Sequence, residues 1–295
     1  MVDEALLHML PDAKISHIRR KYLDVAYADR SEFERLDIYL PDEGEGPFPT
    51  IIFIHGGAWY ACDKRDTQIE PYLTLLPYGY AVASINYRLS DEAVFPAGLM
   101  DCKAAVRFLK ANAGKYCLDA GRMALAGQSA GANYVLMLAA TEGNPDLEDL
   151  SMGWADQNTS VCCAVSWYAP TDIFKMYEQL TQSGKSAYSC DDPSSPEARY
   201  LGGSLNSLPA GRVDQASPLH HIHPGMPPIL LQHGYDDKMV PYQQSETFFE
   251  KAKETGNAER ITLELFQGAE HADPMFETPE NMERVRKFLD AYLKD

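Results

Sequence analysis

RMALAGQSAGANYVLMLAA, running from Arg122 to Ala140, changes from one secondary structure to another within three residues. Arg122 to Ala126 reads as a short strand. Ala130 to Ala140 is almost all apolar, as in a helix buried on most sides. The join, Gly127-Gln128-Ser129-Ala130-Gly131, fits G-x-S-x-G in the strand–turn–helix context that this motif requires. So sharp a reversal strains the serine backbone and crowds neighbouring Cβ positions, and glycine at both flanks removes the clash. The Ser129 hydroxyl then stands at the carboxyl end of a strand, above a helix N-terminus that favours developing negative charge. Ser129 is therefore the candidate nucleophile. The plainer alternative is a Gly-rich helix entry.

On either side, short apolar runs alternate with helical patterns. Thr50 to Ile54, Tyr80 to Tyr87, Val161 to Tyr168, Ile229 to Gln232 and Ile261 to Phe266 read as buried strands. Helices are expected at Gly98 to Ala113, Tyr242 to Thr255 and Pro279 to Leu293, and a short one within Gln68 to Leu76. Such alternation implies βαβ units and a mostly parallel sheet. Tyr22 to Tyr27 and Leu36 to Leu40 have no helix between them and suggest an antiparallel entry. From Thr171 to Pro224 the chain is rich in Ser, Gly, Pro and Asp. A structureless loop of that length is uncommon unless it is functional, so a lid-like insertion at 171–223 is expected. A surface excursion with no role is the alternative.

Three further loops carry candidate chemistry. His55-Gly56-Gly57-Ala58-Trp59 follows the strand ending at Ile54, where a Gly pair can turn backbone N–H groups into a cleft. Gly57, Ala58 and Ala130 are the expected oxyanion donors, with His55 as a structural member that pins the loop. Ala58 can serve if its φ is negative. In His233-Gly-Tyr-Asp-Asp237-Lys-Met-Val-Pro241 the spacing favours Asp237 over Asp236 as the orienting acid. Gly268-Ala-Glu-His271 follows the last strand, which makes His271 the candidate base. The order Ser129, Asp237, His271 is the order such a triad takes on a strand–helix sheet of this kind. Trp59, Tyr60, Trp167 and Tyr168 adjoin these loops as pocket walls or as plain core packing, and both readings stand.

Composition narrows the partners. With 26 Lys+Arg against 43 Asp+Glu, the 295-residue chain carries a formal charge of −17, which argues against nucleic acid and anionic membrane surfaces. No apolar run is long enough to span a bilayer, and the acidic start does not read as a secretory signal, so the cytoplasm is the expected compartment. The six cysteines form no framework and are expected as free thiols. His220, His221 and His223 tempt a metal reading but lack nearby carboxylates at ligand spacing, so no metal is expected. The sequence leaves monomer and homodimer open.

Together these loops resemble an α/β-hydrolase and, within that superfamily, the hormone-sensitive-lipase-like esterases. HGGAW, SPEARYLGG (Ser195 to Gly203), HGYDDKMVP, Asn86-Tyr87-Arg88-Leu89 and Phe95-Pro96 with Asp101 are most similar to the bacterial feruloyl- and acetyl-esterase-like branch. Ala58 departs from it by replacing the third Gly of HGGG. The resemblance implies one domain over 1–295, with 1–21 as an N-terminal extension. It implies an eight-stranded, mostly parallel sheet with helices on both faces and the insertion after strand six. It further implies a serine carboxylester hydrolase without a cofactor, acting on small-molecule esters with acetyl or cinnamoyl-type acyl groups. An arylformamidase or serine peptidase of the same fold is the nearer alternative, and a non-catalytic small-molecule binding protein the distant one. Ser183, Ser186, Ser189, Asp191 and Asp192, alongside Phe174, Tyr177 and Tyr188, make the insertion too polar for a fatty chain.

Overall fold

Strand β3, Phe48–Ile54, is buried along its whole length, as its β-branched run requires, and the sheet is built around it. The computed structural model describes residues 4–182, 184, 189, 192–209 and 211–294. The other strands are β1 (Lys21–Ala26), β2 (Arg35–Tyr39), β4 (Ala81–Ile85), β5 (Leu118–Gln128), β6 (Cys163–Trp167), β7 (Ile229–Gly234) and β8 (Ile261–Phe266). Their order across the sheet is β1-β2-β4-β3-β5-β6-β7-β8. β2 pairs antiparallel with both β1 and β4, and the remaining pairs are parallel. The helices in chain order are α1 (Glu4–Leu7), α2 (Glu70–Leu73), α3 (Ala97–Ala111), α4 (Ala130–Ala140), α5 (Ile173–Gln182), α6 (Pro196–Leu201), α7 (Arg212–Gln215), α8 (Gln243–Ala252) and α9 (Pro279–Leu293).

The period of two along β3 divides the core. Ile52 and Ile54 join the apolar layer of α3, α4 and α8, while Ile51 and Phe53 join that of α2 and α9. β3 lies between β4 and β5, where the strand order reverses. Chain segments leaving neighbouring carboxyl ends therefore diverge and open a crevice. The loop after β3 and the turn after β5 meet there.

That meeting depends on Gly131. A Cβ at this position would lie 2.1 Å from the Ile54 carbonyl oxygen and 2.4 Å from that of His55. Backbone occupies the space, so relief requires α4 to move off β3. Gly131→Ala is expected to lower stability by at least ~3 kcal/mol, the upper range for overpacking. Gly114→Ala is the control, because a Cβ there meets nothing within 4 Å. Urea midpoints of the two variants check the contrast.

Residues 171–223 follow β6 and hold α5, α6, α7 and short 3-10 turns at Leu205–Ser207 and Pro218–His221. Phe174 and Tyr177 of α5 are exposed. Ser183, Ser186, Tyr188 and Asp191 lie outside the described residues. The stretch before β1 is tied to the loop after β3: Cys62 N–H donates to Leu6 O at 2.9 Å, Ala13 N–H to Arg65 O at 2.8 Å, and Thr67 N–H to Pro11 O at 2.9 Å. Cys62, Cys102, Cys117, Cys162 and Cys163 are free thiols, and Cys190 lies outside the described residues. Among the described residues no helix is long and apolar enough to cross a membrane.

Candidate active site

Ser129 sits between β5 and α4 with φ 51° and ψ −120°, a region that non-glycine residues occupy only when their surroundings force it. The forcing contacts are local. Ser129 N–H donates to Trp167 O at 2.9 Å, and Ser129 O accepts from Asn133 N–H at 3.0 Å. A Cβ on Gly127 would lie 2.8 Å from the Gly131 backbone, so the turn closes only with glycine at both ends.

His271 reaches this serine from the loop after β8. Its Nε2 lies 3.0 Å from Ser129 Oγ, and its Nδ1 lies 2.7 Å from Asp237 Oδ2. A carboxylate only accepts, so Nδ1 carries the proton and Nε2 is left to accept the Ser129 hydroxyl. Asp237 is fully buried, and its Oδ1 accepts from Met239 N–H at 2.8 Å and Val240 N–H at 2.9 Å. Burial alone would raise its pKa. Hydrogen bonds and charge from His233 and His271 overcome that and hold the carboxyl well below the usual carboxylate range. Asp236 is only partly buried, and its N–H bonds to Ala269 O.

Sequence reasoning left His233 as a motif letter. Here it is buried, with Nδ1 2.7 Å from Ser245 Oγ and Nε2 2.9 Å from Val240 O, and it backs Asp237 at 3.5 Å. Its place four residues before Asp237 was the available signal, but nothing in that spacing specified Ser245 as the partner.

The loop after β3 turns through positive φ at Gly57 (109°), Ala58 (52°) and Trp59 (63°). The condition of negative φ at Ala58 is therefore not met. The condition was also misplaced, since rotation about φ moves the chain beyond Cα and leaves the preceding peptide N–H where it is. Gly57 is irreplaceable here, because a Cβ would lie 2.1 Å from Ala61 O. Its carbonyl accepts from Tyr60 N–H and Ala61 N–H at 3.0 and 2.9 Å. Among the described residues no hydrogen bond engages the N–H groups of Gly57, Ala58 or Ala130. His55 does pin this loop: Nδ1 lies 2.7 Å from Gly56 O, and the ring stacks on Tyr87 at 4.6 Å.

The four aromatic candidates separate. Trp167 is not a pocket wall: it is fully buried between Tyr72 and Phe276, in the α2–α9 layer. Trp59 is buried and stacks on Tyr200 of α6 at 4.4 Å, a partner that the SPEARYLGG match contained without indicating its contact. Tyr60 stays partly exposed beneath the Arg199 guanidinium, 4.0 Å from its ring centre, and Arg199 is itself paired to Asp91 at 2.6 Å. Tyr168 is buried with its ring edge-to-face on His271 at 4.7 Å. A groove of about 650 Å³ lies at the other end of the sheet, beside Phe48, Leu76 and Tyr78, and includes none of these residues. His220, His221 and His223 do not converge: His221 bonds to Gln215 O and His223 to Pro224 O. Among the described residues no three His, Cys, Asp or Glu side chains are grouped to hold a metal ion.

A family model described as BD-FAE matches residues 36–252. The chain is 27% identical over 245 residues to the probable carboxylic ester hydrolase LipM of Mycobacterium tuberculosis, covering 82% of this chain and 54% of that protein. It is 26% identical over 262 residues to the isoprenylcysteine alpha-carbonyl methylesterase ICME of Arabidopsis thaliana, covering 86% of this chain and 57% of that protein. It thus spans little more than half the length of these relatives. Among solved structures, a truncated form of a carbohydrate esterase from gut microbiota matches with TM-score 0.84 and 28% identity, over 96% of this chain and 99% of that one. A bifunctional GH43-CE protein of Bacteroides eggerthii matches with TM-score 0.81 and 30% identity, over 93% of this chain and 35% of that one.

Proposed function

The chain belongs to the BD-FAE family, and from that premise we propose that it is a serine carboxylester hydrolase for short acyl or aryl esters. One observation carries the reading. Ser129, His271 and Asp237 form an unbroken hydrogen-bonded line beside three backbone N–H groups that have no other partner among the described residues. Ser129 Oγ attacks the ester carbonyl while His271 Nε2 takes its proton. The proton then passes to the departing alcohol, leaving an acyl-Ser129 that water attacks with His271 again as base. Asp237 keeps the imidazole in the Nδ1–H tautomer and stabilises the imidazolium. Gly57, Ala58 and Ala130 donate to the tetrahedral oxyanion, and their fixed backbone needs no reorganisation as charge develops.

The preference for small acyl groups is supported by what borders the loop. Trp59 and Tyr200 are stacked against each other, and the charged Arg199–Asp91 pair covers Tyr60. A long alkyl chain needs a broad apolar site instead. In this reading residues 171–223 act as a lid-like wall of the acyl site. The test is kcat/KM across p-nitrophenyl esters from acetate to palmitate, with methyl ferulate and acetylated xylan alongside. A maximum at acetate to butyrate is expected. A maximum at decanoate or longer contradicts it.

A further inference from the structure

Tyr168 has φ 43°, a genuine outlier for a bulky aromatic, and an observed outlier of this kind points toward function. Three contacts hold it there. Its N–H donates to Gln232 O at 2.8 Å. Its ring is wedged between His271 and Phe276, edge-to-face with each at 4.7 Å. Its hydroxyl donates to Gln128 Oε1 at 2.6 Å.

Gln128 is the residue before Ser129, and its amide extends the line. Gln128 Nε2 donates to the Gln68 carbonyl at 3.1 Å. The Gln68 side chain accepts the Gly56 N–H at 2.7 Å through Oε1 and donates from Nε2 to Asp66 at 3.0 Å. Gly56 immediately precedes the donors of the oxyanion loop. A Cβ there would lie 2.9 Å from Gln68 Oε1 and 3.4 Å from Ser129 Cβ, so the chain of bonds passes directly behind the nucleophile.

We propose that Tyr168 and Gln128 are positioning residues, which lock the His271 ring against Ser129 and tie it to the oxyanion loop through Gln68. This role rests on the hydrolase reading of the site. Phe276 and the Gln128 bond fix the Tyr168 ring, and its edge limits tilting of the imidazole about the Asp237 hydrogen bond. The same Gln128 amide, through Gln68, sets the height of Gly56. One hydrogen-bonded strut thereby holds the base and the oxyanion donors to a common geometry. Burial pushes the Tyr168 phenol well above its usual range, so it remains a donor throughout.

The experiment compares Tyr168→Phe, Gln128→Leu and the double variant on p-nitrophenyl acetate, with rates counted per active site titrated by diethyl p-nitrophenyl phosphate. Both single changes break the same bond and keep similar bulk. Each is expected to lower kcat roughly ten- to a hundredfold, as a small misplacement of reacting groups does, with KM within about twofold. The double variant should be no slower than the slower single one, because the two residues act as one unit. A wild-type kcat per titrated site in either folded variant overturns the proposal, and so does a double variant with the product of the single losses. If Ser129→Ala keeps its activity, the hydrolase reading itself fails, which is a separate result. If one variant does not fold, the other still decides.

Discussion

Ser129→Ala is expected to lower kcat by about four orders of magnitude or more while leaving the fold intact, as in other triads where the nucleophile is removed. The groups that remain set the expected size. In the proposed mechanism the N–H groups of Gly57, Ala58 and Ala130, which have no partner among the described residues, still polarise a bound ester, so catalysis above the water rate persists, but no acyl-enzyme forms. The fold is spared because, among the described residues, the hydroxyl makes one side-chain bond, to His271 Nε2 at 3.0 Å. The backbone bonds that force the turn, to Trp167 and from Asn133, are untouched. Steady-state turnover of p-nitrophenyl acetate together with a thermal melt checks both halves. Near-wild-type turnover in a cleanly purified, folded variant would sink the assignment.

Asp237→Asn is the second large effect, a loss in kcat on the order of 10⁴ by analogy with triads in which an amide imposes the wrong imidazole tautomer. The amide offers N–H where Asp237 Oδ2 now accepts from His271 Nδ1, so the ring turns its lone pair away from Ser129. Asp236→Asn, at a position that is only partly buried, should stay within about threefold of wild type, as surface changes usually do. The reverse ranking would mean that the other acid orients the base. Asp237→Asn also has a stability signature. Because the folded Asp237 pKa is depressed, its contribution is complete above the unfolded value of about 3.9 and is lost as pH falls toward the lower folded value. The difference in denaturation midpoint between wild type and Asp237→Asn should therefore shrink as pH falls below about pH 4.

Much of this architecture is legible in the sequence because its signals are local. Periodicity and β-branched runs identify the eight strands, and Ala130 to Ala140 is placed to the residue because apolar content and the Gly131 entry coincide. β5 reads as Arg122 to Ala126 but extends over Leu118–Gln128, since Asp119 and Gly121 disguise an edge-exposed start. The predicted helix from Tyr242 ends earlier: α8 stops at Ala252, and a wider turn at Lys253–Asn257 carries Gly256 with φ 85°. Ser129, Asp237 and His271 are recoverable because each follows a strand in a recognisable loop. Trp167 is not separable from a pocket wall by sequence, because alternation along β6 gives two faces without saying which one is roofed by α2 and α9. Tyr168, Gln128 and Gln68 are invisible there as a unit. Their link spans three distant stretches of chain, and only the packed sheet brings those together.

The measurement that bears most directly on the mechanism is covalent trapping. The protein is incubated with diethyl p-nitrophenyl phosphate, an ester whose phosphoryl group a serine nucleophile retains, and is then digested and mapped by mass spectrometry. One diethylphosphoryl group per chain is expected, on the peptide carrying Ser129, with p-nitrophenol released in equal amount and ester hydrolysis lost in proportion. Label on any other residue, or full esterase activity in chains whose Ser129 is quantitatively labelled, would contradict the assignment of Ser129 as the nucleophile.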